Sequence, residues 1–357
     1  MIKLLHSADW HLDSPLQGRT PEQTALLRAQ LLAVPGKLAQ LCRAEQCDLM
    51  LLSGDLFDGS YTPESYRAVY RALEEAAVPV FVAPGNHDYL SPESPWRAEV
   101  WPENVHIFTA NHMTGVEVPD LDCCVYGAAF HGSDCDGLLE GFRADTGRTY
   151  AVGVLHGDPT QVTSPYCPVS ERQVADSGLH YLALGHIHKE GAFRAGMTLC
   201  GWPGCPMGRG FDELDEKGAL IVTLDGSAAA RFVALDTVRF HDLQAAPGED
   251  AAAALADILP PVGNDDFYRI ILTGPSQPLD LTALRAQLSR FPNLELRDRT
   301  TVPIDPWRTV DEDSLEGTFF RMLRDAMEGA DGAQRKRILL AAEISRQLLD
   351  GQEVPLP

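Results

Sequence analysis

Short apolar runs recur along the first 240 residues, and amphipathic patterns separate several of them. The runs that predict strands are IKLLH (2–6), DLMLLS (48–53), PVFVA (79–83), NVHIF (104–108), CCVYG (123–127), TYAVGVLH (149–156), HYLALG (180–185), GALIVTLDG (218–226) and ARFVALD (230–236). Helical patterns fall at 22–46, where Pro35 is expected to break or kink the helix, and at 63–77. Because runs this apolar need cover on both faces, the pattern predicts an α/β fold with helices outside the sheets rather than an all-β barrel.

The texture of the chain changes after Asp236. Residues 244–266 are rich in Ala, Pro and Gly and predict a linker followed by a short helix. Beyond them the patterns predict a strand at 267–274, a helix at 280–291, a strand at 293–300, and two helices at 312–329 and 333–351. At 357 residues the chain is therefore expected to hold two or three domains.

Composition excludes several classes of protein. The chain is 45% hydrophobic and 22% charged, as globular proteins are, and no stretch reaches the length of a membrane span. The eight cysteines form no CxxC pair, which favours reduced, buried thiols, and we expect a cytoplasmic protein. A net charge of −22 argues against a simple basic nucleic-acid binder, so a polyanionic ligand would need bound metal ions, a local basic patch or a partner subunit.

Most of the first predicted strands end in side chains that can bind a metal. They are Asp9 and His11 after strand 2–6, Asp55 and Asp58 after 48–53, Asn86, His87 and Asp88 after 79–83, His156 at the end of 149–156, and His186 and His188 after 180–185. Each short motif alone is more often a turn or a hydrogen-bonded histidine than a ligand. Five of the eleven histidines lie at these strand ends, however, and the carboxyl ends of strands are where α/β sheets collect ligands. Together the motifs predict one site.

Carboxylate oxygens, an amide oxygen and imidazoles suit Mn²⁺, and also Fe or Zn. A pair of ions needs about seven or eight protein ligands, with one carboxylate between the two ions. The candidate ligands are Asp9, His11, Asp55, Asn86, His156, His186 and His188, with Asp55 as the bridge. Such a pair of ions can polarise a phosphoryl oxygen for in-line attack.

The motifs D-x-H, G-D-x-x-D, G-N-H-D, a later H and G-H-x-H stand here in the order of the calcineurin-like metallophosphoesterase family, which residues 1–236 resemble. The segments HSADWHLDSPL, LLSGDLFDG and PVFVAPGNHD are similar to the SbcD-type DNA-repair exonucleases of that family. The resemblance implies a two-sheet β-sandwich flanked by helices over residues 1–240. It also implies a small α+β capping domain at 241–305 and a C-terminal helical segment at 306–357 that docks on an SMC-type ATPase.

The same resemblance implies roles within the site. Asp9, His11, Asp55 and His188 would hold one ion, and Asp55, Asn86, His156 and His186 the other. His87 would face the scissile phosphate and protonate the leaving oxygen, with Asp88 as the residue that orients its imidazole. Asp58, which stands where some nuclease members carry His, would support the histidine ligands, and the balance of exonuclease and endonuclease action stays open. Arg209, in the Gly/Pro-rich stretch 200–213, is expected to be a solvated loop residue.

The function implied is that of a Mn²⁺-dependent DNA nuclease, acting 3′→5′ on duplex ends and also on hairpins or single strands, with DNA and an SMC-type ATPase as partners. A homodimer through the helix at 63–77 is also implied. One alternative is a phosphomonoesterase or cyclic-nucleotide phosphodiesterase on the same scaffold. The other is a non-catalytic scaffold protein that keeps metals for stability.

Overall fold

The computed structural model describes residues 1–145 and 147–351. Its strands are β1 (Ile2–Ser7), β2 (Leu49–Leu52), β3 (Val80–Val82), β4 (Val105–Ile107), β5 (Thr114–Val118), β6 (Cys123–Gly127), β7 (Tyr150–His156), β8 (Tyr181–Gly185), β9 (Gly191–Ala195), β10 (Thr198–Trp202), β11 (Gly218–Asp225), β12 (Ser227–Ala234), β13 (Phe240–Ala245), β14 (Phe267–Pro275) and β15 (Asn293–Thr301). Its helices are α1 (Pro21–Ala44), α2 (Pro63–Ala76), α3 (Pro95–Ala98), α4 (Glu171–Asp176), α5 (Ala251–Ile258), α6 (Leu281–Gln287), α7 (Leu315–Glu328) and α8 (Gly332–Leu349).

Two six-stranded sheets dominate the fold. The first has the order β12-β11-β1-β2-β3-β4, and the second has the order β5-β6-β7-β8-β10-β9. In the first sheet β1, β2, β3 and β4 run parallel, and in the second β6, β7, β8 and β10 do. Each sheet has antiparallel strands at its margins, and a third sheet has the order β13-β14-β15.

Three apolar cores stack these elements in layers. Successive side chains of β1 show the arrangement, because Leu4 lies in the core between the two sheets and Leu5 lies in the core beneath α1 and α2. The outer face of the second sheet packs against α4 through residues such as Leu182 and Val174. Helix, sheet, sheet and helix thus form the layers, and the predicted α/β fold with two sheets flanked by helices is confirmed.

The structure corrects the predicted elements in two respects. Helix α1 is not interrupted at Pro35, because this residue is buried with Leu31, Val34 and Leu38 and the packing outweighs the missing backbone hydrogen bond. Strands β5, β9, β10 and β13 were not predicted. In β5 and β9 buried or half-buried residues alternate with exposed ones, so these strands lack a continuous apolar run.

The chain divides into two compact units. One consists of Met1–Asp242 with Asp265–Arg269, and the other of Leu243–Asn264 with the described residues from Ile270 onward. Both six-stranded sheets belong to the first unit, and helices α5 to α8 belong to the second. None of the helices in the described part of the chain is both long enough and apolar enough to cross a bilayer. The cysteines of the described residues are free thiols, and all are buried except the half-buried Cys135.

Candidate metal centre

The predicted metal ligands lie at or just beyond the carboxyl ends of five strands of the first unit. They are Asp9 and His11 after β1, Asp55 after β2, Asn86 after β3, His156 at the last position of β7, and His186 and His188 after β8. Four of them have left-handed backbone, with φ of 55° at Asp9, 46° at His11, 54° at Asp55 and 95° at His186. Such a conformation costs a non-glycine residue about 1–3 kcal/mol, so backbone strain is concentrated at these strand ends.

One group of donors gathers around two imidazoles. The Nε2 atoms of His11 and His188 are 3.1 Å apart, and a carboxylate oxygen of Asp9 lies within 4.8 Å of ligand atoms on both rings. The Nδ1 atom of His11 is 3.3 Å from Asp58 Oδ1, and that of His188 is 2.6 Å from Glu213 Oε1. Because a carboxylate favours the proton on Nδ1, each ring turns its Nε2 lone pair toward the shared space, as a metal ligand does.

A second group of donors surrounds His156, which is fully buried. Its Nε2 atom lies 2.8 Å from Asn86 Oδ1 and 3.3 Å from Asp55 Oδ2, and Asp9 and Asp55 form a close group with it. Its Nδ1–H donates to the backbone carbonyl of Ser53 at 2.9 Å, which again leaves Nε2 as the free donor atom.

Asp55 lies between the two groups. Its Oδ2 atom is 3.8 Å from His11 Nε2 and 3.3 Å from His156 Nε2, and its Oδ1 atom accepts the backbone N–H of His87 at 2.8 Å. Burial raises the pKa of Asp55, but the imidazoles of His156 and His11 outweigh burial and leave that pKa below its ordinary value. An ionised carboxylate in this position fits a ligand shared by two cations.

The side chain of His186 lies beside the second group rather than within it. Its backbone N–H donates to Asp9 Oδ1 at 3.0 Å, and its ring centroid is 5.3 Å from that of His156. Among the described residues, the close groups of three ligand atoms do not include a nitrogen of His186. Burial lowers the pKa of His186, so its ring is held in the neutral form that can bind a cation.

His87 is the partly exposed member of the site, with 45% of its side chain accessible. Its Nδ1 atom is 2.6 Å from Asp58 Oδ1, and its ring centroid is 4.7 Å from that of His11. The hydrogen bond to Asp58 raises the pKa of His87 above its ordinary value and outweighs the opposing effect of burial. The site therefore combines a protonatable imidazole with buried metal donors.

Asp88 does not orient His87, and this expectation is wrong. Its carboxylate is buried and accepts backbone N–H groups, from Gly85 at 2.8 Å, from Leu56 at 2.9 Å and from Asp55 at 3.2 Å. These bonds tie the loop after β3 to the loop after β2. The carboxylate that binds the His87 imidazole is that of Asp58 instead.

Gly85 allows these two loops to approach closely. A Cβ atom at this position would lie 2.3 Å from Asp55 Oδ1 and 2.8 Å from His156 Nδ1. Real Cβ atoms do not reach such distances, so the glycine of the G-N-H-D motif is required by the close approach of the candidate ligands.

Sequence reasoning missed Glu213 and misplaced Arg209. The Arg209 side chain is only 17% exposed and forms an ion pair with Glu213, with Nη2 and Oε1 2.6 Å apart. The expectation of a solvated loop residue is therefore wrong, because the buried carboxylate holds the guanidinium in place. The signal in the sequence was the pair of opposite charges four residues apart inside a Gly/Pro-rich stretch, which by itself indicates no partner.

The donor chemistry fits two divalent cations. Imidazole nitrogens, carboxylates and an amide oxygen form two groups that share Asp9 and flank Asp55, and thiolates take no part in these two groups. Fold and site together define a class of protein, an α/β sandwich with a dinuclear metal centre at the ends of its strands.

A family model described as "Calcineurin-like phosphoesterase" matches residues 2–190, and the chain belongs to this family. The resemblance on which the sequence motifs were interpreted is thereby confirmed at the level of the family.

Two curated proteins from Bacillus subtilis (strain 168) are similar to this chain. "Uncharacterized metallophosphoesterase YhaO" is 31% identical over 242 residues, which cover 62% of this chain and 57% of that protein. The SbcD component of the nuclease SbcCD is 25% identical over 260 residues, which cover 59% of this chain and 63% of that protein. The chain thus spans less than two thirds of the length of either relative. Among solved structures, a dimetal phosphatase from Danio rerio has a TM-score of 0.43 at 11% identity, over 64% of this chain and 98% of that one.

Proposed function

We propose that this chain is a metal-dependent phosphoesterase. Asp9, His11, Asp55 and His188 would hold one divalent ion, and Asp55, Asn86, His156 and His186 the other. The observation that carries the proposal is the pair of donor groups on either side of Asp55, one built on His11 and His188 and the other on His156 and Asn86. Two ions bound there would act as Lewis acids on a phosphoryl oxygen and lower the pKa of an attacking water.

The part of the reaction assigned to the chain itself is proton transfer by His87. Its Nδ1–H donates to Asp58, so the ring stays protonated at higher pH and its partly exposed Nε2–H can reach a substrate beside the metal donors. We assign His87 as the general acid that protonates the leaving oxygen of the cleaved ester. Asp58 orients the imidazole and stabilises its protonated form.

The substrate class that we propose is DNA. The chain would be a Mn²⁺-dependent nuclease that acts 3′→5′ on duplex ends, and also as an endonuclease, in DNA repair and recombination. Support comes from the motif segments after β1, β2 and β3 and from the similarity to a protein named as part of a nuclease. The net charge of −22 fits a protein that relies on metal ions and on an ATPase partner for its grip on DNA.

The test compares two substrates with Mn²⁺ present. End-labelled linear duplex DNA should be degraded from its 3′ ends, and nitrophenyl phosphate esters should be hydrolysed more slowly. Ester hydrolysis without DNA cleavage would instead favour a phosphomonoesterase or a cyclic-nucleotide phosphodiesterase. Absence of both reactions from a protein that binds Mn²⁺ would favour a non-catalytic scaffold.

A variant pair tests the role of His87. His87→Ala should abolish DNA cleavage while the Mn²⁺ content stays at that of the wild type. His131→Ala is the matched control, because His131 is exposed and its Nε2 atom contacts only the Thr109 carbonyl, at 2.9 Å. Unchanged cleavage by the His87→Ala protein would refute the acid role.

We further propose that residues 241–305 form a capping domain and that residues 306–357 dock on an SMC-type ATPase, although 352–357 lie outside the described residues. Helices α7 and α8 border an apolar groove whose members are Leu315 at 89% exposed, Phe319 at 42%, Leu348 at 62% and Leu349 at 57%. Apolar side chains exposed together in this way are typical of a protein-binding surface. The occupant that we assign is an apolar helical segment of the ATPase, since one relative is named as one component of a larger nuclease.

The docking surface is tested with Phe319→Ser combined with Leu348→Ser. These changes should abolish co-elution with the purified SMC-type ATPase of the same organism and leave metal-dependent hydrolysis by the isolated chain unchanged. Val162→Ser, an exposed apolar residue of the first unit at 82% exposure, is the control. Persistent co-elution of the double variant would refute the assignment.

A further inference from the structure

His188 is held on both sides of its ring. Its Nε2 atom faces His11 across the first donor group, and its Nδ1 atom is 2.6 Å from Glu213 Oε1. A metal-binding imidazole commonly donates its second N–H to a carboxylate, which fixes both the tautomer and the orientation of the ring. Glu213 is in the position of such a carboxylate.

Glu213 is itself held rigidly, because it is buried and both of its carboxylate oxygens have donors. Oε1 accepts from Arg209 Nη2 at 2.6 Å, and Oε2 accepts from the Arg209 backbone N–H at 2.7 Å. The backbone N–H of Glu213 donates to the Gly210 carbonyl at 3.1 Å. A buried carboxylate with this many partners cannot change rotamer without breaking charge-assisted hydrogen bonds.

The same stretch of chain also holds the main chain of His188. The backbone N–H of Cys205 and the Nζ atom of Lys217 both donate to the His188 carbonyl, each at 3.3 Å. Gly204, with φ of 73°, makes the approach possible, because a Cβ atom there would lie 2.6 Å from that carbonyl oxygen. We call residues 203–217 the His188 clamp.

The clamp lies outside residues 2–190, the part of the chain that matches the family model. It therefore adds to the strand-end motifs a support that these motifs do not contain. Its members Cys205 and Glu213 form, with His188, a group of possible ligand atoms, but the 2.6 Å separation of His188 Nδ1 and Glu213 Oε1 is that of a direct hydrogen bond with no ion between the atoms.

We propose that Glu213, held by Arg209, is a positioning residue that sets the tautomer and orientation of His188 and thereby the affinity of one of the two metal positions. The inference rests on the proposed dinuclear site. Loss of an equivalent hydrogen-bond partner typically lowers metal affinity 10- to 100-fold. Because Glu213 contacts His188 and not His156 or Asn86, one binding step should weaken and the other should not.

The test titrates Mn²⁺ alone into the full metal-stripped chain by isothermal calorimetry. Glu213→Leu removes the acceptor, and about a 10- to 100-fold loss is expected in one of two binding steps. Glu213→Gln keeps an acceptor oxygen for Nδ1–H and should lose less. Asp212→Asn changes the adjacent, exposed carboxylate and should bind as the wild type does.

The outcomes separate the inference from the function on which it rests. Two steps of wild-type affinity in the Glu213→Leu protein, with an unchanged thermal unfolding curve, would overturn the inference and leave the dinuclear site standing. Equal weakening of both steps would also overturn it, because a general loss of structure does not select one position. A wild-type chain that takes up no Mn²⁺ would overturn the dinuclear site and the inference together. Recovery of hydrolysis by Glu213→Leu at saturating Mn²⁺ would support the positioning role.

Discussion

Replacing Asp58 with Asn should move the pH dependence of DNA cleavage. The carboxylate of Asp58 is 2.6 Å from His87 Nδ1 and raises the pKa of His87. Cleavage requires protonated His87, so the rate falls as the pH rises through this pKa. Asp58→Asn keeps the shape of the side chain but removes its charge, which lowers the pKa of His87. The alkaline limb of the rate profile should therefore shift to lower pH.

The size of the shift follows from the contact. A hydrogen bond to a charged group contributes about 1.5–3 kcal/mol, which corresponds to about one to two pKa units. The His87 side chain is 45% exposed, and solvent screening reduces the effect toward the lower end. We therefore expect the alkaline limb to shift by about one pH unit, and the variant to retain roughly a tenth of wild-type activity above both pKa values.

The assay measures kcat against pH with Mn²⁺ saturating and with two substrates. Cleavage of DNA expels a poor alkoxide leaving group and needs the acid, whereas nitrophenolate leaves without a proton. The shift should appear with DNA and not with a nitrophenyl ester, and Asp134→Asn, an exposed loop carboxylate, should leave both profiles unchanged. Asp58 also lies 3.3 Å from His11 Nδ1. A uniform loss of kcat at all pH values with both substrates would place the effect at the metal and refute the reasoning about His87.

Three further substitutions test other parts of the structure. Gly85→Ala should lower the Mn²⁺ content together with the activity, because the new methyl group would overlap Asp55, whereas Gly36→Ala in α1 meets nothing within 4 Å and should be neutral or slightly stabilising by metal analysis and thermal unfolding. Burial lowers the pKa of His6 to about 3, so between pH 6.5 and 3 the unfolded chain binds a proton that the folded chain does not, and wild-type stability should fall by about 1.4 kcal/mol per pH unit as the pH decreases; urea unfolding of His6→Gln should lack this slope, and equal slopes would contradict the assignment. Phe320→Ala should destabilise the packing of α7 on α8 by about 3–5 kcal/mol in urea unfolding, since Phe320 is fully buried, and a change below about 1 kcal/mol would show that the core of these helices repacks without it.

The sequence predicted the elements that are apolar throughout. The buried strands β2, β3, β6, β7 and β8 each form a short continuous apolar run, so their positions could be predicted to within a residue or two. Strand β9 was missed because its alternating, half-exposed side chains resemble those of a loop. Helix α1 passes through Pro35 because contacts with distant residues compensate for a local break, which periodicity alone does not reveal.

The sequence by itself determined which donor atoms the site contains, because the histidines, carboxylates and the asparagine follow strands whose carboxyl ends must meet. Tertiary structure decided which groups touch. Asp58 and Asp88 follow neighbouring strands and are equally plausible partners for His87 in the sequence, but Asp88 is occupied by backbone N–H groups and only Asp58 reaches the ring. Glu213 reaches His188 from 25 residues away. The direction of a side chain depends on the backbone angles of its own loop and on packing against remote segments, and neither is determined by local sequence.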